Sequence, residues 1–519
     1  MAFTLLQAGT SLYSVNTAGA VSSALTLPTG VTLADTRVPR FARFKNYVLV
    51  VNTPSRPLSV DTTGTVRLLT PAPPHTAMTL TNTNGGALTG TFAAKQTFVV
   101  LDANANLITE SDYGPVSNRV SITTDYLNAT GINVSAETIT ARRLYRTTSN
   151  GAVFFPWIDI DGNTSVTVTD DAPDASLGLV AAGARGSAPD LTLVAEYAGR
   201  VWGVGRTDGD NLRWTEAGTM YAWSALNTLP IPHVGDDRFG VTALAPRRDG
   251  LGVGRRNQLV QVVGNTTATI RPITMSENCG MLSQEAVVVH RDQVFFLWYD
   301  GVYQWDASGI VNVSDLANVR SWFTTDDYFN RGMFSQAFAV FDPTSMGYRL
   351  FLHEAGQTQV THWVEYSLKT KRFYGPHRTD AFTPSCALHV RGTNDQPFAM
   401  VGSRAGYLSQ DSTVKNDWGL LPIDLDVVMA GHNAGDATRE KVFGPLTIHT
   451  EPTGGTLAIS TTTDNGAEAA FTHDLADTDA TLDHVGFGRE AIVRFRHKTL
   501  NEDVVIHGYE IPVTDQGKR

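Results

Sequence analysis

Apolar and polar residues alternate with a period of two along most of this chain, in short runs broken by Gly, Pro, Asn and Asp. Near the N-terminus the runs are Ser11-Leu12-Tyr13-Ser14-Val15-Asn16, Tyr47-Val48-Leu49-Val50-Val51-Asn52 and Leu58-Ser59-Val60-Asp61. A period of two over about four to eight residues predicts antiparallel strands, since successive side chains of a strand point to opposite faces. At Pro71-Ala72-Pro73-Pro74 the alternation stops. Proline lacks the ladder N–H and fixes φ, so this stretch reads as a linker. Beyond it, Leu88-Thr89-Gly90-Thr91-Phe92, Thr97-Phe98-Val99-Val100-Leu101, Val120-Ser121-Ile122-Thr123, Ala141 to Thr147 and Ser165 to Asp170 follow with turn clusters between them. Strands at this spacing over roughly 110 residues suit a small β-sandwich.

From about Leu191 a different unit recurs, in which an apolar strand meets a Gly- or Asp-containing turn and then a strand carrying aromatics. Copies are Tyr197 to Val204, Asp249 to Gly254, Val294 to Trp305, Gly347 to Leu352 and Phe398 to Leu408. Degenerate repeats of this kind suit propeller blades, each a four-stranded sheet of roughly 40–50 residues. Residues 1–75 and 186–420 together leave room for about six or seven blades of that size. Residues 76–185 therefore read as a domain inserted into a propeller, tolerated because loop length costs little entropy. After Leu420 the aromatics thin out, and Leu446-Thr447-Ile448-His449-Thr450, Thr456 to Ser460 and Ile492 to Arg496 predict a second sandwich over 421–519. One short helix is expected, with Ser314 and Asp315 at its N-terminus and Leu316, Val319 and Phe323 on its apolar face. The expected fold class is all-β: a propeller with an inserted immunoglobulin- or fibronectin-like sandwich and a C-terminal β-sandwich.

Composition narrows the picture without redirecting it. A chain of 519 residues with 42% hydrophobic and 18% charged residues can bury several cores. Its 46 glycines and 23 prolines favour short strands and tight turns. Cys279 and Cys386 lie far apart without a CxxC neighbour, so neither a disulfide framework nor a zinc site is indicated. Each is read as a small buried hydrophobe. Met1-Ala2-Phe3-Thr4-Leu5-Leu6 lacks a signal peptide's basic start, and no membrane-length apolar run occurs. Folding in a cytoplasm without membrane insertion is expected. A net charge of −11 argues against general nucleic-acid binding, which relies on clustered Lys and Arg.

Two stretches carry a family resemblance. Leu88-Thr89-Gly90-Thr91, Thr97-Phe98-Val99-Val100, Pro115-Val116-Ser117-Asn118 and above all Arg142-Arg143-Leu144-Tyr145-Arg146-Thr147, before Thr167 to Asp171, resemble the fibronectin type III-like modules of phage tail proteins. Gly301-Val302-Tyr303-Gln304-Trp305-Asp306 followed by Val313-Ser314-Asp315 resembles the propeller of tail nozzle proteins of short-tailed bacteriophages, also called packaged-DNA stabilisation proteins. That resemblance implies a virion tail subunit assembling with copies of itself into a ring, a hexamer in that family. The ring would sit below the portal and adaptor, contact fibres or a needle, and conduct genomic DNA without binding it specifically. An acidic wall would then not retain the DNA.

Candidate chemistry is thin. Asp159-Ile160-Asp161-Gly162-Asn163 resembles the start of a calcium loop but lacks the twelve-residue pattern and its terminal Glu. A type I′ hairpin turn is the better reading, as it is for Asp102-Ala103-Asn104-Ala105-Asn106. The 13 histidines form no HExxH, and His290, His353 and His362 fall in apolar strand contexts as satisfied residues. No GxSxG elbow or P-loop occurs. Asp236-Asp237 and Asp326-Asp327 make poor glycosidase dyads, since neighbours on a strand face opposite sides. Trp202, Trp214, Trp223, Trp298, Trp305, Trp322 and Trp363 are expected to fill space between blades rather than form a sugar platform. The chain is expected not to be an enzyme, with no catalytic, cofactor-binding or metal-binding residue and no cofactor. The competing readings are a propeller glycosidase or depolymerase of host polysaccharide, and a host-receptor-binding tail protein.

Overall fold

The computed structural model describes residues 4–515 apart from 19, 35, 165–166, 180–185, 234–238, 380–382, 392–396, 407, 411–424, 430, 465, 484–485, 499–503 and 505. The chain forms two compact units, Met1–His377 with Cys386–Ala399, and Arg378–Ser385 with Met400–Arg519. The expected boundary at 420–421 lies outside the described residues.

The first unit contains a β-propeller. Five antiparallel four-stranded sheets, blades I to V, occupy residues 40–68, 191–230, 243–276, 288–312 and 338–378, and in each the strands follow chain order. The first strand of each blade lies innermost: Leu191–Tyr197 runs beside both Arg40–Phe44 and Ala243–Pro246, and Val288–His290 beside both Ala243–Pro246 and Phe338–Asp342. A three-stranded sheet, Pro384–Arg391, Pro397–Ser403 and Leu408–Gln410, is formed where the chain passes between the two units. An N-terminal hairpin, Thr4–Ala8 with Ser11–Val15, buries Leu5 and Leu12 against Val50, Leu58 and Val60 of blade I.

Aromatics fill the seams between blades. Trp202, Trp214, Trp223 and Trp305 are buried, while Trp298, Trp322 and Trp363 are half-buried. Trp305 explains the glycine-rich texture of Leu251-Gly252-Val253-Gly254. A Cβ at residue 252 would stand 2.6 Å from Trp305 Cζ3 and 3.1 Å from the Ala245 carbonyl oxygen. Gly252→Val should therefore destabilise the propeller by about 1–3 kcal/mol through overpacking, read as a lower urea midpoint, with Gly252→Ala intermediate. An unchanged midpoint would mean that Trp305 has room to move.

The inserted domain is a sandwich of two sheets. One holds Thr79–Phe92, Val120–Thr130 and Thr167–Asp170; the other Ala94–Leu101, Leu107–Glu110, Ala141–Thr147 and Phe154–Asp161. Leu80, Leu88, Phe92, Ile122, Leu127 and Leu144 close its core. It is docked firmly on the propeller: Val100 and Ile108 share a core with Leu49, Val51, Leu191 and Trp223. Glu137 of the sandwich pairs with Arg56 of blade I and accepts the linker N–H of Ala72 at 2.9 Å.

Taken by itself, the second unit packs the sheet holding Thr456–Thr463 and Ala491–His497 against the one holding Leu446–Thr450, with Ile448, Leu457, Ile459, Val493 and Phe495 buried between them.

Two local expectations need correction. The single helix is two short ones, α1 (Val313–Leu316) and α2 (Ser321–Thr324). Asn312, rather than Ser314 or Asp315, caps α1, its side chain accepting from the N–H groups of Ser314 and Asp315. Ser314 is instead buried and accepts the Val302 N–H at 2.9 Å, and Leu316 is 74% exposed. Gly162 does adopt φ 70°, but it carries the chain from one sheet to the other, with its N–H on the Thr140 carbonyl, so it closes no hairpin. Asp102, by contrast, does close a hairpin loop, accepting from the N–H groups of Asn104 and Asn106 at 2.8 Å each.

Candidate functional site at the propeller axis

A short polar stretch, Ser283-Gln284-Glu285, leads into the innermost strand of blade IV. Its apolar flanks Met281, Leu282 and Ala286 are buried in the seams on either side of that blade. Pinned at both ends, the tripeptide is met by blades I, III and V, and through Arg40 it is linked to blade II.

Gln284 pairs twice with Leu244 of blade III, accepting its N–H at 2.7 Å and donating to its carbonyl at 3.1 Å. Ser283 Oγ donates to Glu285 Oε2 at 2.8 Å, and the Ala339 N–H of blade V donates to the Glu285 carbonyl at 2.8 Å. Arg40 of blade I grips the Glu285 carboxylate with Nε on Oε1 at 2.7 Å and Nη2 on Oε2 at 3.3 Å. Its Nη1 donates to the Thr192 carbonyl of blade II at 3.0 Å. Burial pushes the Glu285 carboxyl up, but the Arg40 charge and the hydrogen bonds from Arg40 and Ser283 outweigh it and hold it below the ordinary glutamate range. Glu285 is therefore an ionised acceptor at neutral pH. At this level Arg40 and Glu285 tie blade I to blade IV.

Further along the same inner strand, His290 stacks on Phe341 of blade V at 3.7 Å. Burial, with the charges of Arg291 and His389, holds this imidazole below its ordinary value and hence neutral near pH 7. His353 is buried, and His362 shares a hydrogen bond with the Thr361 hydroxyl at 3.0 Å. Sequence reading singled out neither Arg40 nor Glu285. The available signal was one acidic residue inside the apolar stretch from Met281 to Val289.

Asp326 and Asp327 are exposed loop residues, and Asp236-Asp237 lies outside the described residues. Cys279 is buried and Cys386 half-buried, and no disulfide joins them. The Arg142 to Thr147 motif is an internal scaffold. Arg143 pairs with Asp159 at 2.7 Å, Tyr145 donates to the buried Glu110, and Arg146 binds Asp174 at 2.7 Å and Asp170 at 3.3 Å. Among the described residues, no group of three or more His, Cys, Asp or Glu is placed to hold a metal ion.

No protein-family profile and no curated protein matches the chain. It is similar to solved structures of an exo-β-1,3-galactanase from Phanerochaete chrysosporium. One, with β-1,3-galactotriose, has a TM-score of 0.20 at 9% identity, covering 80% of this chain and 100% of that one. Another, with galactose, has a TM-score of 0.17 at 9% identity, covering 79% and 100%. A third, again with galactotriose, has a TM-score of 0.17 at 9% identity, covering 97% and 95%. TM-scores this low transfer no activity to the chain. The expectation that the chain is not an enzyme does not stand either. Carboxylate-based glycoside hydrolysis needs only two acidic groups about 5–10 Å apart, drawn from any part of a chain. The absence of short motifs was therefore no ground for exclusion, and that expectation is withdrawn.

Proposed function

We propose that the chain is a structural subunit of a bacteriophage tail, the nozzle ring below the portal and adaptor, with its DNA conduit running between copies. The observation that carries this reading is the tying of the inner strands. Arg40, Gln284 and Glu285 join the inner strands of blades I to V, and inner strands tied in this way suit a propeller that builds the wall of a ring. The docked sandwich belongs to the same compact unit, and the net charge of −11 favours passage of DNA over adhesion. The resemblances at Arg142 to Thr147 and Gly301 to Asp306 point the same way.

The test is the mass and shape of the purified protein, alone and mixed with a portal and adaptor complex, by light scattering and electron microscopy. A closed ring, free or on the adaptor, is expected. A monomer that ignores the adaptor and cleaves host polysaccharide would replace this reading with that of a propeller glycosidase.

A further inference from the structure

Three asparagines in this chain are followed directly by glycine, Asn84, Asn150 and Asn465. The side-chain amide of such an asparagine is open to attack by the backbone nitrogen of the next residue, because glycine has no Cβ to crowd the approach. How tightly the fold holds the two residues decides whether the attack happens. Asn465 lies outside the described residues.

Asn150 is held. Its Oδ1 accepts the Thr91 N–H at 3.1 Å, and its own N–H donates to the Thr91 carbonyl at 3.0 Å. The Gly151 N–H, on the nitrogen that would have to attack, donates to the Thr148 carbonyl at 2.9 Å. Asn84 differs on each count. It is exposed, and no hydrogen bond from any described residue holds its amide. The strand Thr79–Phe92 pairs with Val120–Thr130 from Thr79 opposite Thr130 as far as Asn84 opposite Asp125, and pairing resumes only at Thr89 opposite Thr123. The residues from Gly85 to Leu88 therefore bulge out opposite Thr124 alone. Gly85 sits at φ 101°, a region that glycine adopts readily, so the backbone can turn immediately after Asn84. A paired, extended strand would keep the Gly85 nitrogen away from the Asn84 side chain. Here that restraint ends at the residue where the reaction needs it to end.

We propose that Asn84 and Gly85 form a self-modifying site, which the fold leaves free to deamidate. The Gly85 nitrogen attacks Asn84 Cγ and the new N–Cγ bond closes a succinimide. The Cγ–Nδ2 bond breaks, and the proton displaced from Gly85 leaves on ammonia. Water then opens the ring at either carbonyl, giving an aspartyl or an isoaspartyl residue. Water is the one co-reactant. Either product places a new carboxylate directly across from Asp125, whose own carboxylate already accepts Asn82 Nδ2 at 2.8 Å. Like charges facing each other across a strand pair destabilise it, so conversion weakens the pairing at its bulged end. The inference concerns the sandwich alone and holds whether or not copies of the chain form a ring.

The test is to keep the purified full chain at mildly alkaline pH, where the attacking nitrogen is deprotonated more often, and to follow the Asn84 and Asn150 peptides by mass spectrometry over time. Deamidation is read as a gain of one dalton, and isoaspartate as methyl transfer by an isoaspartyl methyltransferase. In the folded protein the Asn84 peptide is expected to convert at least tenfold faster than the Asn150 peptide, and the two rates are expected to converge in urea. Asn84→Gln should abolish the gain in the first peptide and leave the second unchanged. Equal rates in the folded protein, faster conversion at Asn150, or a tenfold gap that persists in urea would overturn the proposal.

Discussion

Arg349→Ala is expected to lower the stability of the propeller by about 3–5 kcal/mol, the range for removing one partner of a buried ion pair. Arg349 lies on the strand Gly347–His353 with its side chain only 5% exposed. Its Nη2 binds Asp342 Oδ2 at 2.9 Å and Glu365 Oε2 at 2.9 Å, and Nε binds the same Glu365 oxygen at 3.0 Å. The guanidinium also stands 4.6 Å over the half-buried Trp363 ring. Truncation would leave two carboxylates, 6% and 8% exposed, without the cation between them, and would remove the stacking as well. Arg349→Lys should recover only part of the loss, because an ammonium cannot reproduce a planar fork serving two acceptors. Urea unfolding followed by tryptophan fluorescence reads the effect, with the two compact units fitted as separate transitions. A loss below about 1 kcal/mol, the scale of an exposed pair, would mean that these carboxylates reach water.

Glu285→Ala is expected to cost about 2–4 kcal/mol, somewhat less than a fully buried pair because both partners keep about a quarter of their side-chain surface. The substitution strands Arg40 and frees Ser283, so the tie between blade I and blade IV is lost. Glu285→Gln, which keeps an acceptor and the shape, should cost less. The pH dependence has a definite sign. The folded-state carboxyl lies below its unfolded value, so its contribution is complete above the ordinary glutamate range and is lost as pH falls through the folded value. Wild type should therefore lose stability on acidification in a step that Glu285→Ala lacks. Parallel acid limbs in the two proteins would show that Arg40 and Glu285 contribute nothing net.

Much of the architecture was legible along the chain. Strands such as Leu58–Asp61 and Leu446–Thr450 declare themselves through alternation, since a sheet with one buried face imposes a period of two. The insertion was marked by Pro71 to Pro74, and the blade hairpins by glycine followed by aromatics, as in Gly301 to Trp305. Short-range geometry misled where a tertiary contact competed with it. Ser314 looked like a helix cap but is claimed by the Val302 N–H, leaving Asn312 to cap α1. Asp161-Gly162 looked like a hairpin but sits where the chain must cross between sheets. The exclusion of an enzyme failed for a related reason, because it assumed that catalytic groups announce themselves as short motifs.

The sequence by itself determined the all-β class, the interruption of one repeat array by a sandwich, and the uncharged threonine-rich texture of Thr79 to Thr91. Alternation, turn chemistry and composition are local properties, and a linear reading carries them. Only the tertiary structure decided that Arg40 meets Glu285, that Trp305 needs a glycine at 252, and that Thr81, Asn128 and Thr169 fall in one row. Such contacts join residues tens to hundreds of positions apart. Closing the sheets around an axis and pairing strands in register brings them together, and no periodicity along the chain encodes which distant side chains will meet.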